Sequence, residues 1–162
     1  MADIYNENSN TLVSGTSKAD YIFNAIDLED TYIENVTIKA LAGNDTIYSS
    51  GDNITIIGGK GYDSININGK NNLIQYALGD NNDTVIGFNT DDTLQITKGS
   101  YSAKVSGNDV IVTVGKGKIT LKDVAGQEIS IKNSKGKVTT KTYGSASSAL
   151  FAENNLITFS EK

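Results

Sequence analysis

Five isoleucines stand nine residues apart, at Ile38, Ile47, Ile56, Ile65 and Ile74. Nine is the period of neither an α-helix nor a simple strand, so this spacing restricts the chain to a stacked repeat. Aligned on these residues, the segments read TYIENVTIK (31–39), ALAGNDTIY (40–48), SSGDNITII (49–57), GGKGYDSIN (58–66) and INGKNNLIQ (67–75). Two extra residues, Tyr76 and Ala77, break the register, which resumes as LGDNNDTVI (78–86) with Val85 in the isoleucine place. Asparagine recurs in the fifth place, at Asn35, Asn44, Asn53 and Asn71, and at Asn82 after the slip.

Each unit reads as a six-residue turn followed by a strand of about three residues. Gly and Asn tolerate the positive φ that such turns require, and the β-branched residue suits the strand. Helix is disfavoured throughout by the same composition. A single unit cannot bury its apolar side, so two units form one coil and the coils stack. The isoleucines then point inward along two short parallel sheets.

With two units per coil, turns on one edge recur every 18 residues. Asp45 and Asp63 occupy equivalent places on one edge, and Asp83 joins them once the two-residue slip is counted. The other edge has Val36, Ile54 and Asn72 there. Carboxylates in adjacent coils are spaced by roughly 5 Å, the interstrand distance, and repel unless a cation lies between them. The chain has no Cys and no His, so the donors on offer are carboxylate and carbonyl oxygens. Hard oxygen donors in flexible turns suit Ca²⁺ better than Mg²⁺, which demands a tighter octahedron.

The same absences exclude disulfides, thiolate or imidazole metal sites, and Ser-His-Asp or Cys-based catalysis. Charge is divided along the chain. Residues 1–92 carry 14 acids against 4 lysines, whereas residues 93–162 carry 5 acids against 10 lysines. The later lysines alternate with Val, Ile and Thr, as the solvent face of a sheet does. Stacking aromatics are scarce among them, which argues against a nucleic-acid partner. No apolar run is long enough for membrane insertion, and the first residues lack the basic and apolar regions of a secretory leader.

Residues 58–66, Gly-Gly-Lys-Gly-Tyr-Asp-Ser-Ile-Asn, match the nonapeptide GGxGxDxUx. With ALAGNDTIY beside it in register, the segment resembles the hemolysin-type (RTX) calcium-binding repeats of the parallel β-roll family. Residues 12–22 look like the opening of such an array, and residues 84–96 like its closing segment. The resemblance covers roughly residues 13–126. It implies an all-β chain: a short parallel β-roll of nine-residue repeats with its N-terminal cap over 1–100. An antiparallel β cap and tail over 101–162 would follow, in one continuous structural unit.

The resemblance also implies ligands. One calcium would take Ala40, Ala42 and Asp45 from one turn, with Gly59, Gly61 and Asp63 from the next. A second would take Gly58, Lys60 and Asp63 with Gly79, Asn81 and Asp83. The sequence departs from the family at Ala40-Leu41, where the family has Gly-Gly, and at Asn81, where it has Gly. Asp20 belongs to the opening motif, and sequence alone does not fix its edge. Asp27 lies 18 residues before Asp45, but Glu29 then takes the inward place.

Beyond Tyr101 the turns Gly-Asn-Asp and Gly-Lys-Gly separate short strands, and residues 145–155 read as a short helix followed by a strand-like Leu156–Phe159. The expected function is a non-enzymatic calcium-binding domain of a secreted or cell-surface bacterial protein, exported by type I secretion. The alternative is a carbohydrate-binding or adhesive module in which calcium is only structural. Partners would be calcium ions, with glycans or other domains of a larger surface protein as further candidates.

Overall fold

The computed structural model describes residues 1–24 and 33–144. Asp27 and Glu29, and the expected helix and strand after residue 144, lie outside the described residues. Within them the chain is all-β, and no helix is long and apolar enough to cross a membrane.

The chain alternates between two sheets, laying one strand in each per coil. The successive pairs are β1 (Asp3–Asn6) and β2 (Leu12–Ser14), then β3 (Tyr21–Asn24) and β4 (Thr37–Lys39). Next come β5 (Thr46–Ser50) and β6 (Thr55–Ile57), β7 (Ser64–Asn68) and β8 (Leu73–Ala77), and β9 (Asn82–Ile86) and β10 (Thr93–Lys98). Strands β1, β3, β5, β7 and β9 pair in parallel as one sheet, and β2, β4, β6, β8 and β10 as the other. This is a parallel β-roll.

The isoleucine repeat is the core of the roll. Ile38 pairs with Ile56 and Ile56 with Ile74 in one sheet, while Ile47 pairs with Ile65 and Ile65 with Val85 in the other. All six are at most 1% exposed. Nine residues is therefore half a coil, and successive isoleucines enter the core from opposite sheets. Each contributes about 1.5–3 kcal/mol through burial, which no isolated coil could realise.

The register records every insertion. Pairs stand 18 apart from β4 to β8 and 20 apart across the Tyr76–Ala77 slip, as in Ile74↔Leu94. Between the second and third coils the offset is 25, as in Ile22↔Ile47.

After residue 100 the chain forms β11 (Ser102–Ser106) and β12 (Asp109–Val114), an antiparallel hairpin. The expected antiparallel block accounts for only part of this region. Strand β13 (Gly117–Leu121) is antiparallel to β12 but parallel to β9, and β14 (Glu128–Lys132) is parallel to β10. These two strands form a further coil, burying Leu121 beneath Val85 and Ile131 beneath Leu94. Strand β15 (Val138–Thr142) closes that sheet antiparallel to β14. The physical reason is that alternation specifies a half-buried strand, not its partner, and the apolar end of the β9/β10 coil needs covering.

Candidate cation site on the aspartate edge

The turns 40–45, 58–63 and 78–83 share one backbone path. Their second residues, Leu41, Gly59 and Gly79, have φ of 78°, 90° and 105°, and their fourth, Gly43, Gly61 and Asn81, have φ of 127°, 153° and 72°. Stacking is close: a Cβ on Gly61 would lie 1.6 Å from the Gly43 carbonyl oxygen. Glycine is required there by both the torsion and the contact.

Each turn ends on an aspartate, and the aspartates form a row. Asp45 Oδ1 accepts the backbone N–H of Asp20 at 2.8 Å, Asp63 Oδ1 that of Asp45 at 2.9 Å, and Asp83 Oδ1 that of Asp63 at 3.0 Å. The row thus holds Asp45, Asp63 and Asp83 as the spacing requires, and it adds Asp20. All four are buried. Their second oxygens differ. Asp45 Oδ2 and Asp63 Oδ2 are buried without a hydrogen-bond partner. In contrast, Asp20 Oδ2 receives the Thr16 N–H at 2.6 Å and its hydroxyl at 2.8 Å, while Asp20 Oδ1 receives the Ala2 N–H at 2.9 Å. Asp63 Oδ2 lies over the bare Cα of Gly58, where a Cβ would come within 2.6 Å of it.

The opposite edge uses the same device with a different outcome. Asn72 Oδ1 accepts the Ile54 N–H at 2.9 Å, and Asp92 Oδ1 accepts the Asn72 N–H at 2.9 Å. There the Asn72 side chain also bonds Asp92, and Asp92 Oδ2 accepts the Asn89 N–H at 3.0 Å. An amide between the turns closes that ladder; carboxylates alone leave the first one open.

Electrostatics mark the open ladder. Burial, then the neighbouring Asp20 charge, pushes Asp45 up to about 6 despite the bond it accepts. Burial and the charges of Asp45 and Asp80 push Asp63 up to about 7, and burial with Asp63, Asp80 and Asp45 pushes Asp83 up to about 8. At Asp20 burial also opposes the charge, but the Thr16 and Ala2 donors outweigh it and hold the carboxyl below its usual value. Asp80, which the repeat pattern does not single out, is raised by burial and lies close enough to bias Asp63 and Asp83. Its signal in the sequence is its place as the third residue of an acidic turn.

The turn carbonyls divide into engaged and disengaged sets. Those of Leu41, Lys60, Asp80 and Asn81 accept inter-coil N–H bonds from Lys60, Gly43, Gly61 and Lys118 respectively. Among the described residues the carbonyls of Ala40, Ala42, Gly58, Gly59 and Gly79 take none of these bonds, and Gly61 is bridged in parallel to Asn81. Asn81 also accepts the hydroxyl of Tyr76, so both of its lone pairs are engaged. The side chain of Tyr76 reaches Asn81 across the core, so this carbonyl, alone among those expected as ligands, accepts two donors among the described residues.

Among the described residues no three His, Cys, Asp or Glu side chains converge as a metal-binding group. Any ion on this edge must rely on two carboxylates and several carbonyls. That donor set and two orphaned buried oxygens fit a hard divalent cation.

Fold and site together define a parallel β-roll with a stacked carboxylate row along one turn edge. The sequence matches no protein-family model and no curated protein sequence. Among solved structures the chain is similar to the extracellular lipase LipA from Serratia marcescens, with a TM-score of 0.58 and 23% sequence identity. The match covers 70% of this chain and 19% of the lipase chain, and what is shared is the fold.

Proposed function

We propose that this chain is a non-enzymatic, calcium-binding β-roll domain of a secreted or surface bacterial protein. Calcium held between adjacent aspartate turns would stabilise the folded roll. The observation that carries this reading is the pair of buried, unpartnered oxygens on Asp45 and Asp63. A buried acceptor left unsatisfied costs about 1–3 kcal/mol, and more when charged, so a ligand that satisfies two at once is strongly favoured. A cation that binds only the folded chain then couples folding to ion concentration. In a calcium-poor cytosol the row would oppose compaction, keeping the chain open for export; outside, calcium would close it. The extracellular lipase that shares the fold is consistent with that setting.

The glycan-binding alternative has less support. Tyr76 is buried rather than available for a sugar, while Tyr48 and Tyr62 are 38% and 59% exposed. Calcium titration of the ion-free chain followed by melting tests the proposal. The expected result is a higher melting temperature with calcium, most of the gain being lost in Asp63→Ala. A titration with no heat and no melting shift refutes it.

A further inference from the structure

The two cages that the repeat would build are not equivalent. Of the carbonyls proposed for the cage between Asp45 and Asp63, those of Ala40, Ala42 and Gly59 accept no inter-coil N–H among the described residues, and Gly61 is engaged only through its parallel bridge with Asn81. The cage between Asp63 and Asp83 is different. Its Lys60 carbonyl already accepts the Gly43 N–H, and its Asn81 carbonyl accepts both the Lys118 N–H and the Tyr76 hydroxyl.

This closure is built into the core. Tyr76 is 1% exposed and comes from the opposite sheet, at the two-residue slip that interrupts the repeat. Gly117 leaves room for it: a Cβ there would lie 2.4 Å from the Asn81 carbonyl oxygen and 2.5 Å from the Tyr76 hydroxyl. The orphaned oxygens follow the same division. Asp45 Oδ2 and Asp63 Oδ2 are buried and unpartnered, while Asp83 has no such atom among the described residues. On the N-terminal side the row is closed by Thr16, whose N–H and hydroxyl engage Asp20.

We propose that the aspartate edge holds one cation per chain, between Asp45 and Asp63, and that Tyr76 closes the neighbouring cage to a second. This rests on the cation-binding reading above and adds its stoichiometry and the positioning residue that sets it. The hydroxyl of Tyr76 acts through Asn81: it takes the lone pair that a second ion would need. Thr16 substitutes hydrogen-bond donors for an ion at the other end.

Calcium binding to the full chain, counted by native mass spectrometry and by isothermal titration, tests this. The wild-type chain is expected to bind one calcium. Tyr76→Phe, which keeps the ring and frees a lone pair on Asn81, is expected to bind two. Asp83→Asn is expected to retain the single ion, because the amide still accepts the Asp63 N–H. Two ions on the wild-type chain, or one ion on folded Tyr76→Phe, overturn the proposal. Should Tyr76→Phe not fold, Asp83→Asn decides: one ion supports the assignment, and loss of the ion overturns it. No calcium on the wild-type chain refutes cation binding itself, a result distinct from two.

Discussion

Asp63 Oδ1 accepts the backbone N–H of Asp45 at 2.9 Å, and the second oxygens of both side chains lie buried with no partner. One contact thus locks adjacent coils and brings two carboxylates together. Repeating the same residue in each turn gives ideal geometry for the backbone and the worst case for charge. The opposite edge, with Asn72 between Ile54 and Asp92, shows what the ladder needs when no ion is involved.

That contrast yields a substitution with two opposite effects. Asp63→Asn keeps the acceptor for the Asp45 N–H and supplies an amide able to donate to Asp83, as Asn72 does to Asp92. Without calcium and near neutral pH, the variant is expected to be more stable than the wild type by about 1–2 kcal/mol. Its calcium-dependent gain should be lost. Denaturant melts with and without calcium measure both; a variant less stable in each condition contradicts the ladder argument.

Acidity should stabilise the ion-free roll. Asp45, Asp63 and Asp83 have native values of about 6, 7 and 8, above the ordinary carboxyl value of 3.8. Between those limits the folded chain binds more protons than the unfolded one, so stability falls as pH rises. The contribution is complete below the ordinary carboxyl value and is lost through the native ones. Asp20 and Asp109, both lowered, act oppositely and lose their contribution in stronger acid. The ion-free melting temperature should therefore fall from about pH 5 to about pH 8. The calcium-induced shift should grow over the same range. Scanning calorimetry in chelator and in calcium measures both trends, and a flat ion-free profile rules out the buried row as their source.

The roll and its three repeating aspartates are legible in the sequence because an isoleucine and an aspartate return at fixed places in each turn. A two-residue slip remains visible when the pattern resumes unchanged after it. Asp20 escapes placement by spacing because 25 residues separate it from Asp45, and an insertion without the repeat erases the register. The coil formed by β13 and β14 is hidden for a related reason, since a hairpin intervenes and alternation does not name a partner. Nor can spacing show that Asn81 is engaged, since its second donor comes from the other sheet.

The outer face near the N-terminal coils carries Tyr5, Phe23 and Tyr48, stacked with centroids 5.0 and 5.5 Å apart and planes within 10°. They occupy paired register positions on β1, β3 and β5, so parallel stacking of coils aligns the rings. The central ring makes these two close contacts, each worth about 0.5–1.5 kcal/mol beyond burial, and a looser third with Tyr21 at 6.4 Å. Phe23→Leu should cost about 1–3 kcal/mol with calcium binding unchanged. Equilibrium unfolding and calcium titration of the same variant check this. Loss of calcium binding in a folded variant means that the face and the edge are coupled.

Leu41 gives the clearest case of a residue at odds with its backbone. It has φ of 78° where the equivalent residues of the next two turns are Gly59 and Gly79, and its side chain is 50% exposed. For an L-residue with a side chain this conformation costs roughly 1–2 kcal/mol. Half-exposed leucine recovers little of that through burial. Leu41→Gly should therefore stabilise the roll, with glycine's greater unfolded-state freedom reducing the net gain to about 0.5–1 kcal/mol. Because the Leu41 carbonyl accepts the Lys60 N–H at 3.0 Å, relaxing its torsion should leave the inter-coil bond intact. Chemical denaturation reads the gain. A destabilised Leu41→Gly would mean that the leucine side chain makes a contact worth more than its strain.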